Sequence, residues 1–141
     1  MPHPASQAAG FRGRPEPPAR SGRSPDPAAR VRCDVAAELA GAFLGVPVEK
    51  IRHPRRQRAA ICRARHVAMY IANVSFRVSL TAMAAEFGRD RSSCSHAVGR
   101  IEDGRDDPAL DALLERLDGL TSVLDAALPP LRETSDGEHR R

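Results

Sequence analysis

From Asp34 onward, apolar residues recur at spacings of three and four and divide the chain into helices. Val35, Leu39, Ala42 and Phe43 predict a first helix from an Asp34 cap to about Leu44, where Gly45 stops it. Val46, Pro47, Val48 and Ile51 form a short apolar connector with room for one helical turn. Ile61, Ala64, Val67, Ala68 and Ile71 predict a second helix over residues 60–74. Leu80, Met83, Ala84 and Phe87 predict a third, capped by Ser79 and ended by Gly88, a residue that tolerates the left-handed conformation of a helix stop. Asp90 offers a cap for a fourth, whose stripe is Cys94, Ala97, Val98 and Ile101. Asp107-Pro108 places a cap before a proline, and Leu110, Leu113, Leu114, Leu117, Leu120, Val123 and Leu124 then mark an amphipathic helix that Pro129-Pro130 ends. The fold class is all-α: one compact domain of four to five helices.

The third and fourth helices, joined at Gly88, read as a helix-turn-helix. At about 100° per residue, the face of the fourth helix opposite its apolar stripe carries Ser92, His96 and Gly99, flanked by Ser93, Ser95 and Arg100. It has no bulky apolar side chain. A slim polar face of this kind can enter a DNA major groove and offer hydrogen-bonding groups to base edges.

Charge adds to this. The net charge of +4 says little by itself, but its distribution says more. Lys50 to Arg100 holds eleven Lys or Arg against two acids, whereas Glu102 to Leu128 holds eight acids against two Arg. A basic face over the turn motif and an acidic final helix make the charge pattern of a polyanion binder. Within it, the basic loop Lys50 to Arg58 contributes Arg55, Arg56 and Arg58. Taken alone, most such runs are solvated surface; this one sits between two helices and contains no acid. Arg63 and Arg65 lie on the first turn of the second helix, where cations oppose the macrodipole at a cost of about tenths of a kcal/mol, a hint that phosphates offset them.

Residues 1–32, rich in proline and arginine, cannot bury enough apolar surface to offset their ordering entropy and are expected to be a disordered tail. The domain is then 33–128, with a second disordered tail over 129–141. Three widely separated cysteines argue against a disulfide framework and a zinc knuckle. Cys62 and His66 share a helix and Cys94 is near His96, but no further ligand has metal spacing and no carboxylate couples to either histidine. The expectation is therefore no enzyme, no cofactor and no metal. No apolar run approaches a membrane span and no signal-peptide core is visible, so a cytoplasmic, nucleoid-associated protein is expected.

The order of the basic loop, Arg63-Ala-Arg-His-Val-Ala-Met-Tyr-Ile-Ala, Ser79-Leu-Thr-Ala-Met-Ala and Phe87-Gly-Arg-Asp-Arg-Ser-Ser-Cys-Ser-His-Ala-Val-Gly-Arg-Ile-Glu resembles the C-terminal DNA-binding domain of the bacterial replication initiator DnaA. The likeness runs from Asp34 to Glu102. It implies a Trp-repressor-like helix-turn-helix in which Arg89, Asp90, Arg91, Ser92, Ser93 and His96 reach major-groove bases and nearby phosphates. By the same resemblance Leu80 and Thr81 lie near the DNA backbone and Arg63 enters the minor groove. Arg91 stands where the family has His, and Arg favours the O6 and N7 of guanine. Ser92 and Ser93 replace threonines that can pack on thymine methyls. No Gly-x-x-x-x-Gly-Lys-[Ser/Thr] occurs, and 141 residues leave no room for an ATPase module, so no nucleotide is expected.

Together these point to sequence-specific binding of double-stranded DNA by a stand-alone transcriptional regulator. One alternative is a modulator of replication initiation that competes for the initiator's boxes. Another, of a different class, is an interaction module built on the leucine stripe, and the same stripe raises a homodimer through Leu113, Leu117, Leu120 and Leu124.

Overall fold

The computed structural model describes residues 26–53 and 58–132, and within them the fold is all-helical. In chain order the helices are α1 (Pro27–Leu44), α2 (Val48–Arg52), α3 (Ala59–Tyr70), α4 (Leu80–Phe87), α5 (Arg91–Asp103) and α6 (Pro108–Ala127). Five long helices and the one-turn α2 thus stand where four to five were expected.

Helix α1 starts earlier than the apolar spacing suggests. Asp26 caps it, accepting from the Ala28 N–H at 3.0 Å, and Pro27 takes the first helical position. Pro27 to Arg32 are therefore helix rather than tail, and Asp34, read as the cap, lies mid-helix with its carboxylate 3.0 Å from Arg52. The buried face of these turns is Ala28, Ala29, Cys33, Ala36, Ala37 and Ala40, side chains small enough to bring the backbone close to its neighbours. The approach is closest at Gly41, where a Cβ would stand 2.6 Å from the Val46 carbonyl oxygen. Gly45 (φ 70°) ends the helix in the left-handed conformation.

Helix α3 is the central element, packed against α1, α2 and α5, with Ala64, Val67 and Ala68 fully buried. A regular helix was expected to reach Val74, but the α-helical part ends at Tyr70 and Ile71–Ser75 widens into a π turn. Phe76 closes it, donating its N–H to Ile71 at 2.9 Å, and the Asn73 amide donates to the Val78 carbonyl at 2.8 Å. The wider turn lets the chain reverse while Phe76 and Val78 become fully buried. The turn motif forms as its caps dictate: Ser79 accepts from Ala82 N–H at 3.1 Å, Gly88 has φ 67°, and Asp90 accepts from Ser93 N–H at 2.7 Å.

On α6, Leu110, Leu114 and Leu117 join the common core, and Leu113 and Leu124 pack partly against it. Leu120 and Val123 are exposed, and Thr121 is buried in their stead. The leucine stripe is thus largely consumed inside its own domain, which removes the support for a homodimer through Leu113, Leu117, Leu120 and Leu124. Among the described residues two side chains join the start of α1 to the segment after α6, and Asp26 is one, accepting from the Arg132 N–H at 2.9 Å. Arg32, 2% exposed, donates to the Pro129 carbonyl at 2.9 Å and the Phe76 carbonyl at 3.3 Å, and ion-pairs with Asp125 on α6.

Candidate nucleic-acid interface

A cleft of about 600 Å³ opens between α3 and α5. Cys62, Arg65, His66 and Met69 form one wall; Ser92, Ser93, His96 and Ala97 form the other, with Arg89 of the turn between them. The lining contains no carboxylate. Two features of the sequence build it. The buried stripe of α5 (Cys94, Ala97, Val98, Ile101) turns Ser92, Ser93, His96 and Arg100 outward, and all four are exposed. The Asp90 cap fixes where α5 begins, so that Arg91 starts the helix in solvent. Hydrogen bonds from Ser93 hold the Asp90 carboxyl below the ordinary carboxylate range, which keeps the cap ionised.

Arg63 is exposed on α3, one residue past Cys62 and three before His66, which sets it on the rim of the same side. Arg58 is exposed just ahead of α3, and Thr81 is exposed at the start of α4, whereas Leu80 beside it is 7% exposed and part of the core. Among the described residues Arg58, Arg63 and Arg100 form no ion pair. Arg55 and Arg56 lie outside the described residues.

Arg65, expected as a DNA contact, is held by carbonyls of its own fold. It is 3% exposed, and its guanidinium donates to the carbonyls of Ile51 (2.9 Å), His53 (2.8 Å) and Lys50 (3.3 Å). These carbonyls lie at the end of α2, where only that of Lys50 also accepts a backbone N–H, from His53, so Arg65 caps that helix and ties it to α3. Burial, and then the neighbouring Arg89, lower its pKa. Arg52, within the basic run, is likewise occupied: it pairs with Asp34, donates to the Glu86 carbonyl at 3.1 Å and lies over the Phe87 ring.

His66 is a cleft residue that sequence reasoning considered only as a partner for Cys62. It is half-buried, and its pKa is lowered by burial first and then by Arg100, Arg65, His96 and Arg89. Its place four residues after Cys62, on the flank of the α3 stripe, was the available signal. The core-side thiols are not reactive groups: burial pushes Cys94 up to about 11 and Cys33 up to about 12. Among the described residues no group of three or more His, Cys, Asp or Glu is placed to hold a metal ion, and no helix is long and apolar enough to cross a membrane.

Residues 37–101 match the family model described as the bacterial DnaA protein helix-turn-helix. This segment is a DnaA-type helix-turn-helix domain. No curated protein and no solved structure matches the chain. The match begins within α1 and ends near the close of α5, so the DnaA-type segment contains the cleft, both helices of the turn motif and Arg63. The first turns of α1 and all of α6 lie outside it. The match of this segment supports double-stranded DNA as the partner.

Proposed function

We propose that this protein is a sequence-specific double-stranded DNA-binding regulator of transcription that reads the major groove with α5. The observation that carries the proposal is the exposed face of α5, slim and polar from Arg91 to Arg100, set beside exposed cations in a DnaA-type segment. In this reading Arg91, Ser92, Ser93 and His96 meet base edges. Arg63 enters the adjacent minor groove, Arg58, Arg89 and Arg100 meet phosphates, with Thr81 at the DNA backbone, and Arg55 and Arg56 extend the same basic surface. Arg65 serves by holding α2 against α3. Arg91 gives the reader a preference for guanine at one position, through bidentate contact with O6 and N7.

The test is fluorescence anisotropy of the full chain on duplex DNA across salt. Four neutralised phosphates give a slope of about −3.6 in log K against log salt, which is roughly a 150-fold loss of affinity between about 50 and 200 mM. A flat response overturns the proposal. Binding-site selection on random duplexes should then return one preferred sequence. Selection of the initiator's own boxes would instead favour a modulator of replication initiation.

A further inference from the structure

We propose that binding of duplex DNA at the α3–α5 cleft takes up a proton at His66, so that affinity for DNA strengthens as pH falls. The inference rests on the DNA-binding reading above and adds a regulation to the same site.

His66 is half-buried in a cleft whose open side is the proposed DNA face, and every charged or titratable group brought against it is cationic or can become so, Cys62 excepted. On its own helix these are Arg65 and Cys62, from α5 they are His96 and Arg100, and from the turn it is Arg89. Ser92 and Ser93 complete the opposite wall with hydroxyls. A neutral imidazole is what such a site holds when empty, because a further positive charge meets incomplete solvation and repulsion together. The lowered pKa of His66 agrees with this, desolvation being its largest cause and Arg100 the next.

A DNA phosphate entering the cleft reverses the balance. Its negative charge offsets the cations and leaves an acceptor oxygen facing the imidazole, so the charged, two-donor form of His66 becomes favourable. The folded free protein therefore holds His66 below the ordinary histidine value and the complex holds it above its free value. By linkage, the extra affinity is complete below the free value and fades as pH rises through the bound value. Between the two, affinity changes by up to about tenfold per pH unit for one proton.

The experiment uses the full chain and a fluorescent 20-bp duplex of mixed sequence, at constant ionic strength, from about pH 5.5 to 8. The wild type should bind at least about threefold more weakly at pH 7.5 than at pH 6.0. His66→Gln, which keeps a hydrogen-bonding side chain that cannot titrate, should lose that dependence. A second measurement needs no variant: calorimetric titration of the wild type at pH 6.5, in two buffers of different ionisation enthalpy, should report uptake of a fraction of a proton per duplex bound. Binding that is independent of pH, or a pH dependence unchanged in His66→Gln, or no proton uptake, overturns the inference and leaves the DNA reading standing. No binding of the duplex at any pH overturns both.

Discussion

Where α1 meets α6, Arg32 is almost wholly inside the protein, giving its guanidinium to Pro129, Phe76 and Asp125. Arg77 reaches the same carboxylate at 3.0 Å, and at the opposite end of α6 Arg105 pairs with Asp111 at 2.7 Å. On the α3 and α5 side, Arg63 and Arg100 stand exposed without an ion pair among the described residues. The difference teaches that arginine content does not locate the partner surface of this chain. What locates it is which guanidiniums have already been given carbonyls and carboxylates by the fold. By that criterion Arg32, Arg52 and Arg65 are internal ties, and the α5 face with the start of α3 is the surface left for a polyanion.

The comparison breaks most visibly at Arg32. Arg32→Ala leaves Asp125 with Arg77 alone and takes the donor from the Pro129 and Phe76 carbonyls, so it should cost about 2–4 kcal/mol of stability in urea unfolding. DNA affinity of the remaining folded protein should not change, and a specific loss of affinity would erase the division. Arg65→Ala should cost about 1–3 kcal/mol of stability, because the carbonyls of Ile51 and His53 lose this donor. Its salt slope for DNA should stay at the wild-type value. Arg91→Ala should leave stability within about 0.5 kcal/mol and cost about 1–3 kcal/mol in preference at one base position, measured by competition with substituted duplexes. Arg100→Ala should weaken all duplexes alike and shallow the salt slope by about one unit.

The smallest effect is an acid one. The hydrogen bond from Arg32, followed by that from Arg77, holds the Asp125 carboxyl below the ordinary carboxylate range. Its contribution to stability is therefore present above the unfolded carboxylate value and lost as pH falls through the folded one. Asp125→Asn should flatten the acid limb of the stability profile, and an unchanged limb would show that the pair contributes nothing there.

The elements most legible in the sequence were those set by local chemistry. Ser79, Gly88, Asp90 and the Asp107-Pro108 start all act within a few residues, so their spacing alone placed α4, α5 and the start of α6. Asp26-Pro27 carries the same signal as Asp107-Pro108, yet its stripe is almost all alanine and follows a proline-rich run, so periodicity there is weak. The π turn after Tyr70 depends on burying Phe76 and Val78, a tertiary demand that no local pattern records. The outward face of α5 was legible because its apolar stripe fixes it by subtraction. The burial of Arg65 was not, because whether a cation on a helix flank meets solvent or the end of α2 depends on where another element lies.

The most direct test of which surface meets DNA is an NMR titration of the full chain with duplex DNA, following backbone amides. The largest shifts should fall on residues 58–66, on Thr81 and on 88–100, with α6 and the Arg32 end unchanged. Shifts concentrated on α6, or none at all as duplex is added, would contradict it.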